Sequence, residues 1–260
     1  MALIRYKPFN TIIAGTSDRN GGFSKEPYTS LNGALTVGDN SLDVVNNRQR
    51  LAEKVGIPLN NWVFCRQCHS DQLRKVTTFD KGRGAFDHEE GIRDCDALYT
   101  KDQDVVLAFV HADCVPILLV EPEKKIIAAI HAGWPGTLKE ITSKVIMELQ
   151  EKEQIDPKKI RAYVGPAISY ASSLINENIQ PYLERMSFDA SEYTTIFPGN
   201  QAKIDARGLN IKMLLNAGVP FENITNLDLD TYINEELCFS YQRQAVTGRH
   251  ITFIAQCQND

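Results

Sequence analysis

The chain has 260 residues, 43% hydrophobic and 23% charged, a composition that excludes collagen-like, low-complexity and wholly disordered classes and supplies a core without covalent staples. Lys and Arg number 28 against 33 Asp and Glu, a net charge of −5, so the basic footprint of a nucleic-acid-binding protein is missing and no nucleic acid is expected as a partner. The longest apolar run, Val105 to Val120, is broken by His111, Asp113 and Pro116 and falls short of the roughly 20 apolar residues that cross a bilayer. No membrane partner is expected. The opening segment MALIRYKPFNTIIAG lacks the apolar core of a secretory signal, which leads us to expect a cytoplasmic protein. Cysteines at 65, 68, 95, 114, 238 and 257 are too sparse for a disulfide scaffold, leaving metal ligation, nucleophilic attack or packing.

In chain order, Leu42, Val45, Leu51, Ala52 and Val55 recur at helical spacing over Ser41–Val55, and Gly56 stands where a C-cap glycine belongs. Trp62 to Cys65 reads as a strand, with Cys65 and Cys68 expected as strand residues. Val105–Val110 and Ile117–Val120 read as strands around the polar segment His111-Ala112-Asp113-Cys114, and Ile126–Ile130 is apolar enough to be buried on both faces. The segment HAGWPGT follows, then a helix carrying Leu138, Ile141, Val145 and Leu149, its start predicted by a capping box of Thr137 and Glu140. Pro181 interrupts any helix over Ser173–Met186; a helix covers Arg207–Ala217 up to Gly218, and a strand covers Ile251–Ala255. No repeat or linker divides the chain. One α+β domain spanning residues 1–260 is expected, with layered mixed β-sheets and helices packed outside.

Two of these strands end in small-residue segments that contain histidine, HADC and HAGW. Cys114 and His131 are zinc-type ligands, 17 residues apart across a strand-turn-strand unit, and His69 in CRQCHS offers a third. Three protein ligands leave the fourth position open, as catalytic zinc requires. Each residue also has a plainer reading: a histidine beside a strand as hydrogen-bonded core, Cys114 as a small apolar residue, Trp134 as packing, and Asp113 as a turn residue or as a partner orienting a ligand histidine. Cys65, Cys68 and His69 also spell the Cys-x-x-Cys-His pattern of haem attachment, or a redox dithiol, but neither has its usual context here. Gly133 and Gly136 before a helix form a weak anion seat.

The chain resembles the laccase-domain family, named first for multicopper polyphenol oxidation and now understood as zinc-dependent purine nucleoside phosphorylases. The matching segments are DRNGGFS (18–24), SLN (30–32), NNR (46–48), QCHS (67–70), DALYT (96–100), HADCVPILL (111–119), HAGWPGT (131–137), VGPAIS (164–169), the helix from Asp205 to Gly218, FSY and TGR. The resemblance implies a zinc site of His69, Cys114 and His131, the same three residues reached from spacing. It implies an α+β fold, a monomer, phosphorolysis of adenosine, inosine and methylthioadenosine with adenosine deamination as a companion reaction, and small-molecule partners, nucleoside and phosphate. It also carries over Asn32, Arg48 and Arg249 as substrate contacts, although Arg48 could instead cap or pair within its own helix. Asp113, beside Cys114, is the candidate acid/base partner for deamination.

Three departures stand out. Pro135 replaces the family's usual arginine, Ser172-Ser173-Leu174 replaces a Cys-Tyr-Glu segment, and Gln242 replaces an arginine. They leave open a zinc-holding nucleoside-binding protein with weak or lost turnover. A copper-dependent phenol oxidase is the other alternative, but five histidines are few for a multicopper cluster.

Overall fold

A strand whose odd and even residues are both apolar must be covered on both faces, and the central strands of this chain meet that condition by lying inside a four-layer stack. The computed structural model describes residues 3–257. One sheet runs β1 (Leu3–Tyr6), β2 (Ile12–Ser17), β13 (His250–Gln256), β6 (Val106–His111) and β3 (Trp62–Phe64) in spatial order. The other runs β12 (Ile224–Asn226), β9 (Arg161–Val164), β7 (Val115–Glu121), β8 (Ile126–Ala132), β5 (Ala97–Thr100) and β4 (Leu73–Lys75). A separate hairpin pairs β10 (Thr194–Phe197) with β11 (Gln201–Ile204).

The strand periodicity sorts the core. Leu107 and Phe109 of β6 meet Leu118 and Val120 of β7 and Ile127 and Ala129 of β8 between the sheets. Their neighbours face outward: Val106 and Ala108 pack with α1 (Ser41–Val55), while Ile117, Leu119, Ala128 and Ile130 pack under α2 (Trp134–Leu138), α3 (Ile141–Glu153) and α5 (Ala206–Asn216). This is the expected α+β architecture of mixed sheets with helices outside. Pro181 sits in the first turn of the short α4 (Gln180–Leu183), where a missing N–H costs nothing. No helix among the described residues is long and apolar enough to cross a membrane.

Helix α1 starts at Asn40, whose side chain accepts from the N–H groups of Leu42 and Asp43, and ends at left-handed Gly56, as expected. Its buried face differs from the expected one. Leu42 is 74% exposed, and the inward stripe is Val44, Asn47, Arg48, Leu51 and Ala52. Apolar spacing alone misses it because two polar residues are turned inward. Asn47 accepts from the Phe23 N–H (2.6 Å) and donates to Ser24 Oγ (2.8 Å) and the Asn32 carbonyl (2.9 Å). Arg48 donates to the carbonyls of Gly33 (2.8 Å), Gly84 (2.6 Å) and Ala85 (2.9 Å), with its guanidinium over the Phe64 ring. It therefore clamps two loops rather than pairing within its own helix.

Two further local expectations are corrected. Thr137 and Glu140 form no capping box: the helix begins at Trp134, so Thr137 lies inside α2 with its N–H already bonded to the Gly133 carbonyl (2.8 Å). Glu140 is a left-handed joint before α3, its carboxylate accepting from the N–H and hydroxyl of Ser187. Strand β3 stops at Phe64, so Cys68 lies in an exposed loop rather than a strand, whereas Cys65 forms a single bridge with Ile92 and is buried.

Replacing Arg48 by Met should strip three buried carbonyls of their donor. The expected loss is about 2–4 kcal/mol of unfolding free energy, read as a lower midpoint in urea, and Lys at this position should not restore it.

Candidate metal centre

Two connections cross from the first sheet to the second, β3 to β4 and β6 to β7, and their residues meet at the end of β8. His69 is on the first crossing, Cys114 on the second, and His131 is the penultimate residue of β8. One ligand atom from each lies within 4.8 Å of the others, with Cys114 Sγ 3.8 Å from His69 Nε2. The three residues singled out from spacing are thus brought together. His69 (φ 55°) and Asp113 (φ 83°) both hold left-handed backbone conformations, uncommon outside glycine and concentrated at functional sites. Gly133 makes the close approach possible: a Cβ there would stand 2.3 Å from His69 Cδ2 and 3.2 Å from Cys114 Sγ.

The cluster is built around a carboxylate that sequence reasoning passed over. Asp96, fully buried just before β5, puts Oδ1 2.9 Å from His131 Nδ1 and accepts on Oδ2 from the N–H (2.6 Å) and hydroxyl (2.8 Å) of Ser70 and from the Cys68 N–H (3.2 Å). Its carbonyl accepts from the His131 N–H (2.8 Å). One carboxylate thereby fixes the ring of one ligand histidine, turning its Nε2 to the cluster, and fixes the loop that carries the other. Of the two plain readings of Asp113, turn residue or partner orienting a histidine, the structure shows the first: its backbone is left-handed and its carboxylate accepts from the Thr231 hydroxyl (2.7 Å) and the Gln242 N–H (2.7 Å). The signal that could have pointed to Asp96 is its place at the head of DALYT, a polar residue entering a buried strand.

Electrostatics hold Cys114 as a thiolate and His131 as its protonated partner. Burial pushes the Cys114 thiol up, but the charge and hydrogen bonds of His131 and the His69 ring outweigh it and bring it down to about 6. Burial pushes His131 down, and the Cys114 thiolate together with Asp96 raises it to about 10. Burial likewise opposes ionisation of Asp96, yet bonds from His131 and Ser70 hold its carboxyl well below the usual range. A soft thiolate and two imidazoles, one with a carboxylate behind it, form a donor set suited to zinc. Of the remaining histidines, His250 accepts from the Phe239 N–H and donates to the Ser17 carbonyl, and His111 is bonded to Thr252.

The other expected site residues lie around this centre in different ways. Arg249 is partly buried; burial lowers its guanidinium while the charges of Cys114 and Asp113 support it, and it stands 5.6 Å from the ring centroid of exposed Tyr241. Asn32 is fully buried, its amide bonded to Ala34 and Asp39 and its Oδ1 accepting from the N–H groups of Ala34 and Arg249. The Gly33 N–H in turn donates to the Arg249 carbonyl, and Arg48 holds the Gly33 carbonyl. Asn32 and Arg48 thus brace the backbone around Arg249 and make no contact of their own with the three ligands. The anion seat is a short helical turn in which Pro135 supplies no N–H, while Lys139 reaches back to the His69 carbonyl (2.8 Å). Ser172 donates to Asp230, Ser173 to the Ile204 carbonyl, and Gln242 makes its contact through its backbone.

Asp96→Asn should weaken zinc binding about 10–100-fold while Cys68→Ala leaves it nearly intact, measured by competition with a chromophoric chelator. Because His131 must lose its proton to bind metal, about one proton per zinc should leave it between pH 7.5 and 9, and affinity should fall as pH falls; calorimetry in buffers of different ionisation enthalpy reads this directly.

The sequence profile of the family described as multi-copper polyphenol oxidoreductase laccase matches residues 13–257. The chain is 35% identical to the purine nucleoside phosphorylase YlmD of Bacillus subtilis, over 94% of this chain and 88% of that protein. It is 38% identical to the purine nucleoside phosphorylase YlmD of Geobacillus stearothermophilus, over 96% and 92%. The crystal structure of YlmD from Geobacillus stearothermophilus superimposes with a TM-score of 0.92 at 36% identity, over 99% of this chain and 97% of that one. With the fold, the clustered ligands and the matched span in agreement, the chain belongs to the multi-copper polyphenol oxidoreductase laccase family.

Proposed function

We propose that this protein is a zinc-dependent purine nucleoside phosphorylase acting as a cytoplasmic monomer on adenosine, inosine and methylthioadenosine, with adenosine deamination as a companion reaction of the same centre. The observation that carries this reading is the convergence of His69, Cys114 and His131 within 4.8 Å, with Asp96 behind them. The relatives named purine nucleoside phosphorylase support the substrate class. Held by these three residues, zinc would supply Lewis acidity at an open fourth position.

The chain's own residues do the rest. In phosphorolysis the bond between base and ribose breaks with positive charge developing on the sugar, so the site must hold an anion close to that carbon. In this reading Arg249, whose guanidinium feels the charge of Cys114, orients phosphate beside the centre, with Asn32 and Arg48 fixing its backbone from behind. Asp113 ties the 231–242 segment against the segment that carries Cys114, and in this reading it is also the acid/base partner for the companion deamination. Exposed Tyr241, beside Arg249, offers an aromatic face at the rim on which a purine can stack. The oxidase chemistry in the family's description finds less support, because both ring nitrogens of His250 are already committed, to Ser17 and Phe239.

Incubating the zinc-loaded protein with adenosine, with and without phosphate, should give adenine only when phosphate is present, with at least a 100-fold loss in Cys114→Ala. Inosine formed without phosphate would report the companion deamination. A protein that holds one zinc and yields neither product would overturn the reading. Pro135→Arg should raise turnover if the missing cation limits the rate; no change would favour the binding protein over the enzyme.

A further inference from the structure

A histidine that ligates a metal is ordinarily held at both ring nitrogens, one on the metal and the other on an acceptor that fixes the ring. His131 meets this condition through Asp96. His69 does not: among the described residues the one hydrogen bond of its ring is at Nε2, to Cys114. The ring is flanked by that of His131, edge-on with centroids 5.1 Å apart, and by the space that Gly133 leaves open. It is also the exposed member of the three. With no acceptor behind its ring, His69 has to be placed through its backbone, which is left-handed at φ 55°.

Two lysines hold that backbone. Lys139, at the C-terminal end of α2, donates from Nζ to the His69 carbonyl (2.8 Å). Lys144, near the start of α3, is ion-paired with Asp71. Left-handed Glu140 joins the two helices between them, so the lysines bracket the joint and end on the two neighbours in sequence of Ser70. Helix α2 approaches this loop closely: a Cβ on Gly136 would stand 3.0 Å from the Ser70 carbonyl. Asp96 takes the N–H and hydroxyl of the same serine. A lysine at a helix C-terminus is ordinarily a complement to the helix dipole, and an exposed lysine–carboxylate pair is ordinarily worth little. Neither explains why both side chains end on one three-residue segment, or why Lys139 meets a loop carbonyl 70 residues away and no carboxylate among the described residues. Ammonium groups beside a ligand of a dication are a Coulombic cost, which a gain in loop geometry would offset.

We propose that Lys139 and Lys144 are positioning residues of the metal centre, which clamp the His69–Asp71 backbone to the joint of α2 and α3 and so place the one ligand ring that no acceptor orients. The inference rests on the zinc reading of this centre. Cys114 and His131 keep their places without the clamp, whereas His69 moves with its loop. The lysines therefore govern how fast the metal leaves, while the donor set itself is unchanged.

The test compares full-length wild type with Lys139→Met, Lys139→Arg and the double variant Lys139→Met/Lys144→Met, and with Lys152→Met as a control, since Lys152 pairs with Glu148 of its own helix. Zinc release into excess chelator should be about fivefold faster in Lys139→Met and about tenfold or more faster in the double variant. It should stay near wild type in Lys139→Arg, which keeps a donor, and be unchanged in Lys152→Met. The sign is diagnostic, because lysines acting only as charges would, on removal, slow the release of a dication. In the metal-free protein, amide exchange at Ser70 should be about fivefold faster in Lys139→Met, with exchange in β8 and the unfolding temperature unchanged. Zinc release that is unchanged or slower in the double variant would overturn the proposal, and so would unchanged exchange at Ser70. Wild type that takes up no zinc would overturn the zinc reading instead, and the exchange comparison, which needs no metal, tells that failure apart from failure of the clamp.

Discussion

The candidate site depends on one buried carboxylate. Asp96 brings the His131 ring and the loop that carries His69 to the same place, one on each oxygen, and it does so from the start of a strand whose backbone is locked to β8. A charge at that depth is tolerable only because every bond it accepts comes from the elements it organises. Removing it would leave His131 free to rotate and the 68–70 loop without its tether. The ligands would remain in the sequence but not in register with one another.

The second constraint is topological. A sandwich of two sheets needs connections that pass from one to the other, and residues of two of them meet at the end of β8. Crossing segments there are short, and they adopt left-handed turns at His69 and Asp113 to make the passage. Gly133 leaves no side chain between the two connections, which lets a thiolate and two imidazoles gather in a space that a methyl group would fill. The sheets are stitched together where the chemistry is proposed, so the stability of the stack and the geometry of the site are set by the same residues.

Much of this was legible in the sequence. Central strands that are apolar at every position announced burial on both faces, and β6, β7, β8 and β13 follow within a few residues of their expected ends. The metal-type ligands stood out because polar residues that close a buried strand need a reason to be there. Other features were not readable for physical reasons. The inward face of α1 includes Asn47 and Arg48, whose burial is decided by carbonyls from loops far away in sequence, and hydrophobic periodicity carries no record of such partners. Thr137 and Glu140 fit a capping box by spacing, yet Gly133 lets the helix start earlier. Asp96 and Asp113 are both polar residues near strand ends; only the register of β5 against β8 decides which of them meets a histidine.

X-ray absorption at the zinc edge of the loaded protein tests the central claim most directly. The account predicts one sulfur at about 2.3 Å, two imidazole nitrogens and one further light atom in the first shell, with a single metal per chain. A shell without sulfur, or one with two sulfurs because Cys68 has joined, would contradict the three-ligand centre organised by Asp96.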